Sequence, residues 1–230
     1  MKLLIIADIH GYHESLSRLL EGITQPFDAV LCPGDFTDMH NVPKDFNQLD
    51  IADLVIQKLM ALKKPLLCVP GNHDPYEILE LFEEYGINLH GHTRKMAGMD
   101  FMGFGGAATP FNTLFEPTEE EIAKGLELAA KNISQPFVLM VHNPPSNTKL
   151  DSVAGGREHV GSKVVREFIE KKKPVLSVSA HIHENSGTEK IGPTTIFYPG
   201  PAYEGRYGTA ELSGNTAKCT VHTMNLPKHS

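Results

Sequence analysis

Apolar residues in this chain fall into short continuous runs closed by polar clusters. Between them lie longer stretches whose apolar positions recur every three to four residues. Residues 2–7 (KLLIIA), 29–32 and 65–69 read as strands buried on both faces, as in the middle of a parallel sheet. A helix follows each of them. The first covers 13–21 with Leu16, Leu19 and Leu20 on one side, the second 49–62 with Ile51, Leu54, Val55, Leu59 and Leu62, and the third 76–85. Strand, polar loop and helix, three times over, predict right-handed βαβ units.

The rhythm changes after residue 87. Residues 87–96 and 101–105 predict a hairpin turning at 97–100. Thr118 ahead of three glutamates predicts a capped helix running to about residue 131. Further buried strands are expected at 136–141 and 174–179, around a helix at 161–170. A closing strand meander is expected at 188–191, 194–198, 208–212 and 217–224. The fold class this predicts is α/β, with two mixed sheets packed face to face, helices outside, and one domain spanning residues 1–230. The loop 143–159 holds two prolines and two adjacent glycines with little apolar content. A loop this long in a compact domain points to function or disorder.

Composition narrows the function classes. With 21 basic and 28 acidic residues the formal charge is −7, which argues against a duplex nucleic-acid partner. It leaves phosphate substrates open, because bound metal can supply the local positive field. Cys32, Cys68 and Cys219 match no zinc or redox spacing and read as small buried hydrophobes in a reducing compartment. A Cys32–Cys68 bridge is conceivable but nothing requires it. No apolar stretch approaches the length needed to cross a bilayer, so a cytoplasmic protein with no membrane partner is expected.

The polar clusters carry the chemistry. Asp8 and His10, Asp35 and Asp38, Asn72-His73-Asp74, His142, and His181 with His183 each begin where an expected strand stops. In an open parallel sheet, ligands bind beyond the carboxyl ends of the strands, so these side chains are expected on one rim. The i, i+2 spacing of Asp8 with His10, and of His181 with His183, would put each pair on the same side of an extended strand end. Gly34 and Gly71 would allow the turns that aim Asp35 and Asn72 at the rim. Carboxylate, imidazole and amide oxygen suit manganese, iron, zinc or magnesium, and the absence of Cys disfavours a structural zinc. Two such ions about 3.5–4 Å apart can activate a hydroxide and clamp both ends of an in-line displacement at phosphorus.

The ordered series Asp-x-His, Gly-Asp-x-x-Asp, Gly-Asn-His-Asp, a single His and x-His-x-His resembles the calcineurin-like metallophosphoesterases, over Asp8 to His183. The resemblance implies a four-layer α/β/β/α sandwich and a centre of two divalent metal ions, with manganese favoured. By motif, Asp8, His10 and His183 would hold one ion and Asn72, His142 and His181 the other, with Asp35 bridging. His73 would contact the phosphate or protonate the leaving oxygen, oriented by Asp74, and Asn72 would also touch substrate. Ala180 stands where the family usually has Gly. Asp38 is followed by Met39-His40-Asn41 instead of the Arg-Gly of the protein phosphatase branch, so a small phosphodiester or phosphomonoester substrate is expected, the diester favoured. Asp38 itself reads equally as a carboxylate behind the ligands or as a turn residue. On the loops, Arg157 is a candidate substrate contact, as are His40 and His159, against a plain reading of all three as solvated groups. His13, His90, His92, His222 and His229 carry no functional expectation.

Two other readings compete. A scaffold that has lost catalysis would be expected to lack some ligands, and here the set is complete. A nuclease acting on nucleic-acid ends would use the same centre, but the acidic balance and the want of a Lys/Arg stripe weigh against it.

Overall fold

The structure is a computed structural model and describes residues 1–226, so His229 lies outside the described residues. Thirteen strands and five α-helices alternate along it. The strands are β1 Lys2–Ile5, β2 Ala29–Cys32, β3 Leu66–Cys68, β4 Thr93–Met96, β5 Met99–Phe104, β6 Phe137–Val141, β7 Ser152–Val153, β8 Glu158–His159, β9 Leu176–Val178, β10 Gly187–Ile191, β11 Thr194–Tyr198, β12 Arg206–Ser213 and β13 Thr216–Thr223. The helices are α1 His13–Gly22, α2 Gln48–Met60, α3 Ile78–Glu84, α4 Glu119–Ala129 and α5 Lys163–Lys172.

One sheet runs β13-β12-β1-β2-β3 and the other β10-β11-β9-β6-β5-β4. Strands β1, β2 and β3 are mutually parallel, as are β5, β6, β9 and β11; antiparallel strands flank both sets. Period-two alternation sorts each apolar run between two layers. Leu3, Ile5, Leu31, Val138, Met140 and Phe197 face the other sheet. Leu4, Ile6 and Val30 turn outward onto Leu16 and Leu19 of α1 and Val55, Ile56 and Leu59 of α2. Phe137, Leu139 and Val141 turn outward onto Ile122 and Leu126 of α4 and Val165 and Ile169 of α5. Three apolar layers therefore separate four layers of secondary structure, which is the expected sandwich. Each fully buried Leu, Ile or Phe contributes roughly 1.5–3 kcal/mol, and this sets the strand ends rigidly.

Helix starts follow their caps. Thr118 and Glu121 form a reciprocal capping box at α4, and Asn47 and Asp50 form one at α2. Two expectations need correction. The closing strands are not one meander: β10 and β11 belong to the second sheet, whereas β12 returns to pair antiparallel with β1 of the first. Periodicity is local and cannot say which sheet a strand joins. Residues 87–92 are not part of the β4 strand but run beside β3 and then β5, with Leu89 N donating to Cys68 O and Gly91 N to Gly103 O.

The loop 143–159 is also not structureless. Buried Asp151 accepts hydrogen bonds from Asn147 N, Thr148 N, the Thr148 hydroxyl and Gly161 N and pairs with His159 Nδ1, and β7 and β8 form a short hairpin at its end. No helix among the described residues is long and apolar enough to cross a membrane.

Candidate metal centre

All five clusters follow parallel strands: β1, β2 and β3 of one sheet, β6 and β9 of the other. The carboxyl ends of the two sheets meet, so ligand-type residues from both reach one centre. Asp8, His10, Asp35 and His183 form one group of potential metal donors, and Asp35, His142 and His181 form a second; within each, the donor atoms lie within 4.8 Å of one another. Asp35 belongs to both. Asn72 completes the second group, its Oδ1 lying 2.9 Å from His142 Nε2.

Backbone conformation aims these side chains. Asp8, His10, Asp35 and His181 all have positive φ, of 51°, 49°, 55° and 78°. Conformations of this kind cost non-glycine residues of order 1–3 kcal/mol each and persist where the surroundings enforce them. Here the enforcement is visible. Ile9 N and His10 N both donate to Asp35 O, Gly11 N donates to Phe36 O, and His181 N donates to Asp8 Oδ1. The extended i, i+2 geometry expected from spacing is therefore not what joins Asp8 to His10; two left-handed residues are. Gly34, at φ 110°, makes the expected turn. Gly71 acts differently: a Cβ there would lie 2.0 Å from Asp35 Oδ1 and 2.2 Å from Asp35 N, so its absence lets the Asp35 carboxylate pass.

The histidines show how the donors are set. His10 Nε2 lies 3.3 Å from Asp35 Oδ2 and 3.2 Å from His183 Nε2; His183 Nε2 is 3.4 Å from Asp8 Oδ1, and His142 Nε2 is 3.4 Å from Asp35 Oδ2. Each of these rings holds a fixed partner on its other nitrogen: Asp38 Oδ2 for His10, Tyr203 OH for His183, the Pro33 carbonyl for His142. This is how histidine ligands are oriented, with Nδ1 held outside and Nε2 presented to an ion.

The electrostatics agree. Burial opposes charge on His142, but the Asp35 carboxylate outweighs it and pushes its pKa up to about 9. Burial likewise raises Asp35, but His142 and His10 overcome it and hold this carboxyl well below the usual range. Burial and the neighbouring His142 drive His181 down to about 3, leaving it neutral. Two buried carboxylates, Asp8 and Asp35, thus draw positive charge inward, which a divalent pair supplies by displacing the proton. The donors are nitrogen and oxygen only, so this Asp/His cluster fits a binuclear divalent metal site.

Two expected roles shift. Asp74 does not orient His73. Its buried carboxylate accepts from Phe36 N, Thr37 N, the Thr37 hydroxyl and Gly71 N, tying the β2 and β3 turns together, while burial and Asp35 raise its pKa to about 6. Asp38 stands beside His73 instead, with Oδ2 3.7 Å from His73 Nδ1 and 3.2 Å from His10 Nδ1. Arg157 sits at the tip of the β7–β8 hairpin with its Nε donating to Ala154 O, and it does not line the cleft over the centre. His40 is exposed, and His159 is bound to Asp151.

Other residues were not anticipated. Buried Tyr198 donates its hydroxyl to Asp8 Oδ2 at 2.7 Å, Thr113 Oγ1 accepts from Asn72 Nδ2, Asn41 donates to His10 O, and Gln48 donates to His73 O. Tyr198 ends β11, itself a parallel strand, and Tyr203 follows it, so the strand-end rule that located the ligands applies to them too. Nothing in the sequence singles out Thr113 or Gln48. Cys32 and Cys68 are register partners on β2 and β3, both buried thiols, unbridged, with pKa values pushed well up by burial.

Known proteins resemble this arrangement. The calcineurin-like phosphoesterase family model matches residues 1–185. The uncharacterized protein MJ1162 of Methanocaldococcus jannaschii is 35% identical over 207 residues, covering 87% of this chain and 88% of that protein. Among solved structures, TT1561 of Thermus thermophilus superposes with a TM-score of 0.67 at 21% identity, over 95% of this chain and 97% of that one. A dimetal phosphatase from Danio rerio does so at 0.65 and 14%, over 97% and 98%. Having the family's sequence pattern, its sandwich and a matching cluster of donors, this chain belongs to the calcineurin-like phosphoesterases.

Proposed function

We propose that this protein is a metal-dependent phosphoric ester hydrolase that prefers phosphodiesters. The observation that carries the reading is the pair of donor groups sharing Asp35 at the meeting point of two sets of parallel strand ends. Asp8, His10, Asp35 and His183 would hold one ion and Asp35, Asn72, His142 and His181 the other, manganese being the favoured metal. Bound there, the ions supply Lewis-acid polarisation of the phosphoryl group and an acidified water as nucleophile. Three unpaired thiols accord with a reducing, cytoplasmic setting.

The chain's own residues do the rest. His73 lines the cleft over the donors, and its backbone is pinned by Asp35 Oδ1 on its N–H and by Gln48 on its carbonyl. From there its side chain contacts the phosphoryl group or protonates the departing oxygen, with Asp38 holding the ring. Thr113 takes the Asn72 amide nitrogen, so that Asn72 Oδ1 faces inward.

The diester preference rests on charge. None of the described residues lining the cleft is Lys or Arg, whereas Asp35, Glu158 and Glu184 do line it. With no cation to meet the second charge of a monoester, a singly charged diester fits better. Protein loaded with manganese is expected to hydrolyse bis(p-nitrophenyl) phosphate faster than p-nitrophenyl phosphate. Asp35→Ala is expected to abolish both reactions; activity retained in that variant overturns the assignment.

A further inference from the structure

The cleft over the donors is lined by apolar as well as polar residues. The cavity measures about 530 Å³, within the size range of small-molecule sites. Phe111 and Pro110 from the loop after β5, Val153 and Val160 from the β7–β8 hairpin, and Ile182, between the two histidines of β9's extension, form the apolar wall of the same cleft. Phe111 is 80% exposed and Val160 43% exposed. A phenyl ring that open to water gains nothing from folding, and among the described residues it stacks on no other aromatic ring. Exposed apolar groups gathered at the mouth of a polar site are the mark of a surface covered by ligand. Glu158 and Glu184 line the same cleft. Any further negative charge on the substrate would meet two carboxylates and no cation there.

We infer that this wall selects the organic group of the ester, accepting an uncharged aromatic group against Phe111 and rejecting one that carries a second anion. This rests on the phosphoesterase reading and specifies which esters that centre serves. The ring supplies an offset-stacking or edge contact with the bound group. Val153, Val160 and Pro110 shield that contact from water, and Glu158 and Glu184 impose the charge rule. Aryl and neutral nucleoside esters meet these terms, whereas esters bearing additional phosphates or carboxylates do not.

Three diesters with one leaving group separate these effects: methyl, phenyl and 4-carboxyphenyl p-nitrophenyl phosphate. Relative to their rates in alkaline solution, the wild type is expected to favour phenyl over methyl by about tenfold in kcat/KM, which is the worth of one aromatic contact. Phe111→Ala is expected to lose that factor and Phe111→Tyr to keep it. The carboxylated ester is expected to fall about tenfold below the phenyl one, and Glu158→Gln with Glu184→Gln to close the gap. Equal phenyl-to-methyl ratios in the wild type and Phe111→Ala overturn the inference. Calorimetric binding of benzyl(methyl)phosphinate and dimethylphosphinate, singly charged and without an ester bond to break, to the metal-loaded protein decides the matter without turnover. A phenyl preference in binding with no hydrolysis of any ester would uphold the wall's selectivity and overturn the reaction instead.

Discussion

Tyr198→Phe isolates the support of one expected ligand. The hydroxyl of Tyr198 is fully buried and donates to Asp8 Oδ2 at 2.7 Å, while the other Asp8 oxygen takes His181 N at 3.1 Å. Phe fits the same space, so the substitution removes one hydrogen bond and leaves a buried carboxylate oxygen without its donor. A hydrogen bond to a charged group is worth about 1.5–3 kcal/mol. For a chain of this size each kcal/mol corresponds to roughly 2–4 °C in Tm, so the metal-free variant should melt about 3–12 °C lower. Freed of this anchor, Asp8 should also hold an ion about 10–100-fold less tightly, as when other partners behind metal ligands are lost. Differential scanning calorimetry in excess chelator measures the first effect, and manganese titration against a chromophoric chelator measures the second. An unchanged Tm together with an unchanged manganese affinity would refute the argument that Tyr198 sets the Asp8 carboxylate.

Gly71→Ala should inactivate without replacing any expected donor. The added Cβ would sit 2.0 Å from Asp35 Oδ1, and displacing a shared ligand by about 1 Å is expected to cost on the order of a hundredfold in kcat/KM; wild-type kinetics in this variant would show that the close approach is unimportant. A pH effect should arise at His90, far from chemistry. Burial and the neighbouring His92 lower its pKa to about 4, and its Nδ1 accepts from Gly105 N, which needs the neutral ring. Below the unfolded value near 6.5 the unfolded chain takes up a proton that the folded chain refuses, so stability falls as pH drops from about 6.5 to about 4, by at most about 3 kcal/mol. Urea unfolding across that window should show the fall, and His90→Gln should flatten it; an equally steep fall in the variant would assign the effect elsewhere.

Much of this was legible because it is local. Continuous apolar runs such as Leu3-Leu4-Ile5-Ile6 announce strands covered on both faces, and the structure covers them with the second sheet on one side and helices on the other. Thr118 and Glu121 announce the start of α4, and the capping box is there. The convergence of the potential metal donors was legible for the same kind of reason: a strand-end rule converts positions along the chain into positions on a rim. What escaped was whatever depends on one loop passing close to another. Asp74 sits next to His73 in sequence, yet its oxygens turn to the β2 loop, while Asp38, thirty-five residues before His73 in the numbering, stands beside it. Arg157 shares a loop with cleft-lining Glu158 but points back to its own hairpin.

By itself, then, the sequence determined the alternation of strand and helix, the burial of both sheet faces and the gathering of ligand-type residues at strand ends, because each follows from residue type and short-range spacing. Tertiary structure alone decided that β12 returns to β1 while β11 joins β9, that left-handed backbone at Asp8, His10, Asp35 and His181 turns their side chains inward, and that Tyr198, Tyr203 and Thr113 hold the donors in place. It also brought Phe111 and Val160 to the lining of one cleft. These are contacts between segments tens to nearly two hundred residues apart. No local preference encodes them, and they exist only when two separately packed sheets present their strand ends to one another.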